Sequence, residues 1–189
     1  MVFSSLIFLF LFLVLNFTSY LCVKDKYKNI VLLVFSLIFY AWGGPKYLLL
    51  LVGETFASWF FALRIEKSEN DRGRKLYMAG ECVVLLGLLG YFKYAVFFLE
   101  NFQMLFGVPE VIPNIVLPIG ISFYTFQLLS YVVDVYRGEI HAQPAFWKLL
   151  LYSSLFHQCI AGPIVRYETV ANEIDNRKVS QTDIYVGVR

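Results

Sequence analysis

Apolar runs of spanning or near-spanning length follow one another along this chain, and no other feature limits its fold as much. Residues 3–22 are apolar for about the 20 positions a membrane-crossing helix needs. With no basic stretch ahead of them and no small-residue cleavage site, they are expected to remain as a helix and not to be removed as a leader. Residues 30–42 form a second, shorter run, closed by the turn-forming Gly43-Gly44-Pro45. Residues 47–63 return across the membrane, and residues 76–99 make a long fourth helix, with Gly80, Gly87 and Gly90 allowing a neighbour to approach closely. A fifth helix follows from Leu117. Residues 146–160 are shorter than a full span and are broken at Gly162-Pro163, which suits a re-entrant or tilted element as well as a crossing one. With 59% hydrophobic and 19% aromatic residues, the chain lies outside the soluble globular class. The expected fold is all-α, a polytopic membrane helical bundle of about five to six transmembrane or re-entrant helices, with residues 1–189 forming one membrane-embedded domain.

The charges supply a direction. Residues 64–75 hold five basic and three acidic side chains without apolar periodicity, and read as a loop; residues 100–114, with Gly107, Pro109, Pro113 and no Lys or Arg, read as a loop of opposite character. The basic clusters at residues 24–28, 64–75 and 137–148 fall on one side if the first five helices each cross once. By the excess of Lys and Arg on the inner side, that side is cytoplasmic and the N-terminus lies outside. The expected location is the cell membrane. A net charge of +2, spread over helix ends, gives no nucleic-acid signal. Cys22, Cys82 and Cys159 sit in apolar runs without metal-ligand spacing and read as packing residues, so no metal site is expected.

The fifth run carries the chemistry. Gly120, Tyr124, Gln127, Tyr131 and Asp134 alternate at spacings of four and three, which puts them on one helix face. Unpaired amides and carboxylates cost kilocalories in hydrocarbon, so this face should meet other helices or a wet cavity. Pro118 and Gly120 add an irregularity tolerated only against protein or a cavity. Asp134 and Arg137 have the spacing of a helical ion pair, either anchoring the helix end or shaping an opening. Glu54 and Lys93 would both lie roughly 9–12 Å below the outer boundary on consecutive helices. They are expected either to pair or to find separate relief, Lys93 by snorkelling outward and Glu54 by facing a cavity. Glu81, near Lys75, reads as interfacial. Of the two histidines, the residues most often used as general bases near neutral pH, neither His141 nor His157 falls in a catalytic pattern.

Five segments in fixed order resemble the membrane-bound O-acyltransferase superfamily, in particular its bacterial branch of alginate O-acetyltransferases and relatives. They are Met1-Val2-Phe3-Ser4-Ser5, Phe39-Tyr40-Ala41-Trp42-Gly43-Gly44-Pro45-Lys46-Tyr47, Gly90-Tyr91-Phe92-Lys93-Tyr94, the run from Leu117 to Gly138, and Phe156-His157-Gln158-Cys159-Ile160-Ala161-Gly162-Pro163-Ile164-Val165-Arg166-Tyr167. Two positions depart: Ser58-Trp59 stands where the family often has Asn-Tyr, and His157 where it commonly has a proline.

The resemblance implies transfer of an acyl group, most simply acetyl, from a cytoplasmic thioester donor (acetyl-CoA or an acyl carrier protein) to hydroxyls of an extracytoplasmic polysaccharide or other envelope polymer. No bound cofactor is implied, and an extracytoplasmic polysaccharide-modifying protein is the implied partner. The substrate-channel candidates are Tyr124, Gln127, Tyr131, Asp134, Arg137, Gln158, Pro163 and Arg166. The family's catalytic histidine belongs to a later part of the fold, beyond Arg189. The chain is therefore expected to be the front portion of an incomplete fold, inactive alone and without a catalytic residue of its own. Two other classes share some of these features: a transport or channel subunit, and a non-catalytic remnant or scaffold.

Overall fold

The computed structural model describes residues 5–106, 116–159 and 165–176, and every element among them is helical. A π-helical segment, Phe8–Phe12, leads into α1, Leu13–Cys22. Then come α2, Asp25–Gly43, and α3, Pro45–Lys67, joined by Gly44 alone. Gly44 has φ of +137°, which side-chain-bearing residues rarely adopt, and Pro45 takes the first helical position, where its missing N–H costs nothing. Next are α4, Asp71–Phe106, α5, Ile121–Arg137, and α6, Phe146–Ser154. The four-residue α7, Phe156–Cys159, and the polar α8, Tyr167–Asn176, complete the described chain.

α3 is the hub, packing against α2, α4, α5 and α6. By length and composition α3 and α4 can each cross a membrane. The core is mainly apolar, yet it also encloses charged and polar side chains while large apolar ones face outward. Glu54, Ser58, Glu81, Thr125, Gln127 and Asp134 are buried, while Leu6, Phe10, Leu49, Leu76, Val83 and Met104 are largely exposed. In water such carboxylates almost never lie inside, and a monomer seldom shows so much continuous apolar surface.

Several expectations need correction. Residues 64–75 are not a loop: α3 runs to Lys67 and α4 starts at Asp71, so only residues 68–70 connect them. Asn70 closes this turn, its side-chain oxygen accepting from the Arg72 N–H at 3.0 Å. α4 also continues through residues 100–106, which read as loop in the sequence. Its 36 residues make a rod of about 54 Å. Of the three glycines expected to admit a neighbour, only Gly80 lies against one, Phe61; a Cβ at Gly87 or Gly90 would meet nothing. The sixth apolar run breaks at Leu155, earlier than Gly162-Pro163, which lie outside the described residues.

Candidate functional site

Two connected polar regions occupy the interior. The deeper one gathers around Glu54, the tenth residue of α3. The Thr125 hydroxyl of α5 donates to Glu54 Oε2 at 2.9 Å. One turn along α3, the Ser58 hydroxyl donates to Glu81 of α4. Thr55 donates to its own helix at Leu51 O (2.8 Å) and lies 2.8 Å from Ser153 of α6. Nine residues take α6 only about 13 Å, roughly half the apolar thickness of a bilayer, and the helix is buried from Leu149 to Ser154. It is a half-helix whose end delivers Ser153 and Ser154 into the bundle, beside α3.

The second region lies at the end of the bundle, where α5 stops. Gly138, with φ of +76°, ends α5 in a Schellman motif: its N–H bonds Val135 O (3.1 Å) and the Glu139 N–H bonds Asp134 O (3.0 Å). Arg74 of α4 donates to Tyr136 O at 2.6 Å, placing a cation against the carbonyl end of the helix. In the connection that follows, the Gln143 backbone N–H bonds the Tyr131 hydroxyl (2.9 Å), and its side-chain amide donates to the Tyr167 hydroxyl (2.7 Å) and accepts from the Ala145 N–H (3.0 Å). Rings of Tyr131 and Tyr152 each stand 5.1 Å from that of Tyr167, edge to face, and Tyr152 donates to Val165 O at 2.7 Å. Burial pushes the Tyr167 phenol above its ordinary range, which keeps it protonated while it accepts from Gln143. Outside this hub, a pocket of about 310 Å³ opens between residues 139–144 and α8, with Glu139, Gln143, Tyr167, Glu168 and Asn172 in its wall.

The structure brings together four of the candidates: Tyr124, Gln127, Tyr131 and Asp134 are all buried along α5. Pro118 and Gly120 precede the helix and do not interrupt it; Gly120, with φ of +76°, is its N-cap. Gln127 Oε1 and Asp134 Oδ2 meet no hydrogen-bond partner among the described residues. Arg137 and Arg166 are instead about 60% exposed, and Glu139 lies between them, 3.7 Å from one and 3.8 Å from the other. The expected Asp134–Arg137 pair therefore does not form, because the cap turns Arg137 outward while Asp134 stays 3% exposed. Gln158 is half-buried on α7, with Oε1 unpartnered among the described residues, and Pro163 lies outside them.

Glu54 and Lys93 do not pair either. Glu54 is 1% exposed and bonded to Thr125, whereas Lys93 is exposed, its ammonium 5.5 Å from the centre of the Tyr94 ring. Glu81 is not interfacial but fully buried: α4 begins at Asp71, so Glu81 lies about 15 Å along it. His157 is exposed against Phe156, and exposed His141 contacts Glu66 at 2.9 Å. Sequence reasoning passed over Thr125, Ser58, Gln143 and Tyr167. Only Ser58 carried a sequence signal, standing one helical turn from Glu54; Thr125, Gln143 and Tyr167 meet their partners through the fold.

Comparison with known proteins places this arrangement. No protein-family profile matches the chain, and no solved structure does. The chain is 39% identical over 182 residues to the probable alginate O-acetylase AlgI of Pseudomonas aeruginosa, covering 94% of this chain and 35% of the relative. It is 38% identical to the protein of the same name from Azotobacter vinelandii, covering 94% of this chain and 36% of that one. To the peptidoglycan O-acetyltransferase of Helicobacter pylori it is 30% identical, over the whole of this chain and 42% of the relative. The chain thus spans well under half the length of these curated relatives. These similarities support the resemblance to the membrane-bound O-acyltransferase superfamily, in particular to the alginate O-acetylases.

Proposed function

We propose that these helices form part of a polytopic membrane bundle that moves an acyl group, most simply acetyl, from a thioester donor on the cytoplasmic side to a hydroxyl of an envelope polysaccharide outside. The acceptor class is the one shared by the alginate and peptidoglycan enzymes among its relatives. Transfer forms a C–O ester bond as the C–S bond breaks, and the hydroxyl proton leaves with the thiol. The general base lies outside this chain, whose part is to wall the passage and hold it dry. A neutral acyl group can be handed across a thin interior barrier, while its charged carrier cannot cross hydrocarbon cheaply.

The observation that carries this reading is the buried polar column of Tyr124, Gln127, Tyr131 and Asp134, which ends at the Gln143–Tyr167 hub beside the open pocket. Orientation is supported by the gathering of basic segments at that end. The start of α2 reaches α8 through Asn29 to Ile174 O (2.5 Å), the start of α4 reaches the end of α5 through Arg74, and Lys148 pairs with Asp175. An excess of Lys and Arg marks the cytoplasmic side. An extracytoplasmic partner would then receive the ester at the opposite end, above Gly44.

The test is to place Gln127→Leu and Asp134→Leu in the whole enzyme, in its bacterial host, and to measure ester-linked acetate on the envelope polysaccharide. At matched membrane levels each should lower acetylation by at least about tenfold, the effect of ~1.4 kcal/mol on a barrier. Unaltered acetylation in both variants sinks the proposal.

A further inference from the structure

Two guanidinium groups gather around one carboxylate at the end of the bundle. Glu139 Oε1 lies 3.7 Å from Arg137, and Glu139 Oε2 lies 3.8 Å from Arg166. The two arginines come from different elements: Arg137 is the last residue of α5, and Arg166 stands immediately before α8. Both backbones are fixed. The turn at Gly138 sets Glu139 through its N–H to Asp134 O (3.0 Å), and Arg166 O accepts from the Thr169 N–H (3.2 Å) at the start of α8. Tyr167, the next residue, is held by Gln143.

Two cations brought this close repel, and the anion between them offsets the repulsion. A direct bond from a guanidinium to a carboxylate measures about 2.7–2.9 Å, and both contacts here are longer. Glu139 therefore draws the arginines together without saturating either fork of donors. Phosphate suits such a pair, because each planar fork can hold two of its oxygens. The N-terminal end of the ten-residue α8 adds positive potential beside Arg166. The adjoining pocket of about 310 Å³ has Glu139, Glu168 and Asn172 in its wall, and these offer acceptors. Bare phosphate would be repelled by the two carboxylates. An ester whose organic arm carries hydroxyl, amide or ammonium donors would satisfy them.

We propose that Arg137 and Arg166 clamp the phosphate of such an ester, whose donor-bearing arm lies in the pocket between residues 139–144 and α8. On the orientation proposed above, on which this assignment rests, the clamp faces the cytoplasm. There the ester has two sources, the phosphopantetheine arm of a soluble thioester or the headgroup of an inner-leaflet phospholipid.

The test is calorimetric titration of the whole enzyme, in phosphatidylcholine nanodiscs, with phosphopantetheine and with pantetheine, which lacks the phosphate. Native mass spectrometry of the enzyme taken from membranes rich in phosphatidylethanolamine reads the lipid arm. Tighter binding of phosphopantetheine than of pantetheine assigns the soluble source, and retained phosphatidylethanolamine assigns the headgroup. Arg137→Gln and Arg166→Gln should each weaken that binding at least about tenfold, as loss of a bond between charged groups does, and leave pantetheine unaffected. Arg137→Lys and Arg166→Lys keep the charge without the fork and should bind more weakly than the parent; they carry the test if a glutamine variant does not fold. No preference for the phosphate in either arm, or affinity unchanged across these variants, overturns the proposal. Envelope acetylation is not the readout, so the clamp can fail while acyl transfer stands, and the reverse.

Discussion

The Gln143 side-chain amide donates to the Tyr167 hydroxyl at 2.7 Å, and this bond fastens α8 to the connection that closes α5. Gln143 also bonds Tyr131 through its backbone N–H and Ala145 through its amide oxygen. Tyr167→Phe removes one acceptor and should loosen α8 by about 1 kcal/mol, a factor of roughly five in its undocked population. The buried Val170 of α8 gives the readout. A cysteine placed there, with Cys22, Cys82 and Cys159 replaced, should react correspondingly faster with a water-soluble maleimide in the Tyr167→Phe chain.

Gly138 offers a backbone measurement free of packing effects. A Cβ there would meet nothing within 4 Å, yet φ is +76°, where a side chain is disfavoured. Gly138→Ala should therefore lower stability by about 1 kcal/mol through backbone strain alone. Ala at Gly87, in open space within α4, should be neutral or stabilising because it removes a mid-helix glycine. Thermal unfolding of the two variants side by side in one detergent decides this, and equal shifts would be the contrary result.

Depth, not formal charge, should rank the substitutions on α3 and α4. Ser58→Ala leaves Glu81 buried without its donor and should cost about 1–3 kcal/mol. Lys93→Met removes a full charge but only an exposed contact over Tyr94, so assembly should change by less than about 0.5 kcal/mol. Denaturant titration of helicity in nanodiscs gives both numbers. A larger loss from Lys93→Met than from Ser58→Ala contradicts the structure's account of this interface.

The proposed orientation is open to direct chemical mapping. In a chain with its native cysteines replaced, cysteine at Arg72, in the first turn of α4, should be labelled only in inside-out vesicles, and cysteine at Lys46, next to the Gly44 turn, only in intact cells. The reverse pattern inverts the bundle and places the pocket beside α8 on the outside.

What was legible in the sequence follows from which interactions are local. Helix identity and the burial of Tyr124, Gln127, Tyr131 and Asp134 come from a period along one helix, which spacing displays. The reach of α4 past its charge cluster was not legible, because Asp71 and Arg72 lie in its first turn and loops and helix starts share such residues. That error of about one and a half turns moved Glu81 from depth to interface. Partner choice failed for a different reason. Opposite charges at matching depths suggested Glu54 with Lys93, but only packing decides which face each helix turns inward, and Thr125 on a third helix took the carboxylate. Gln143 and Tyr167 are 24 positions apart and meet only because α8 folds back beneath the bundle.

The one-residue join at Gly44 and the three residues at 68–70 tie α2, α3 and α4 with almost no slack. None of these three helices can slide far along its neighbour without tearing a connection too short to stretch. Residues 138–145, by contrast, give α5 and α6 an eight-residue tether. The slack for one helix to travel along another thus lies between α5 and α6 and not among α2, α3 and α4.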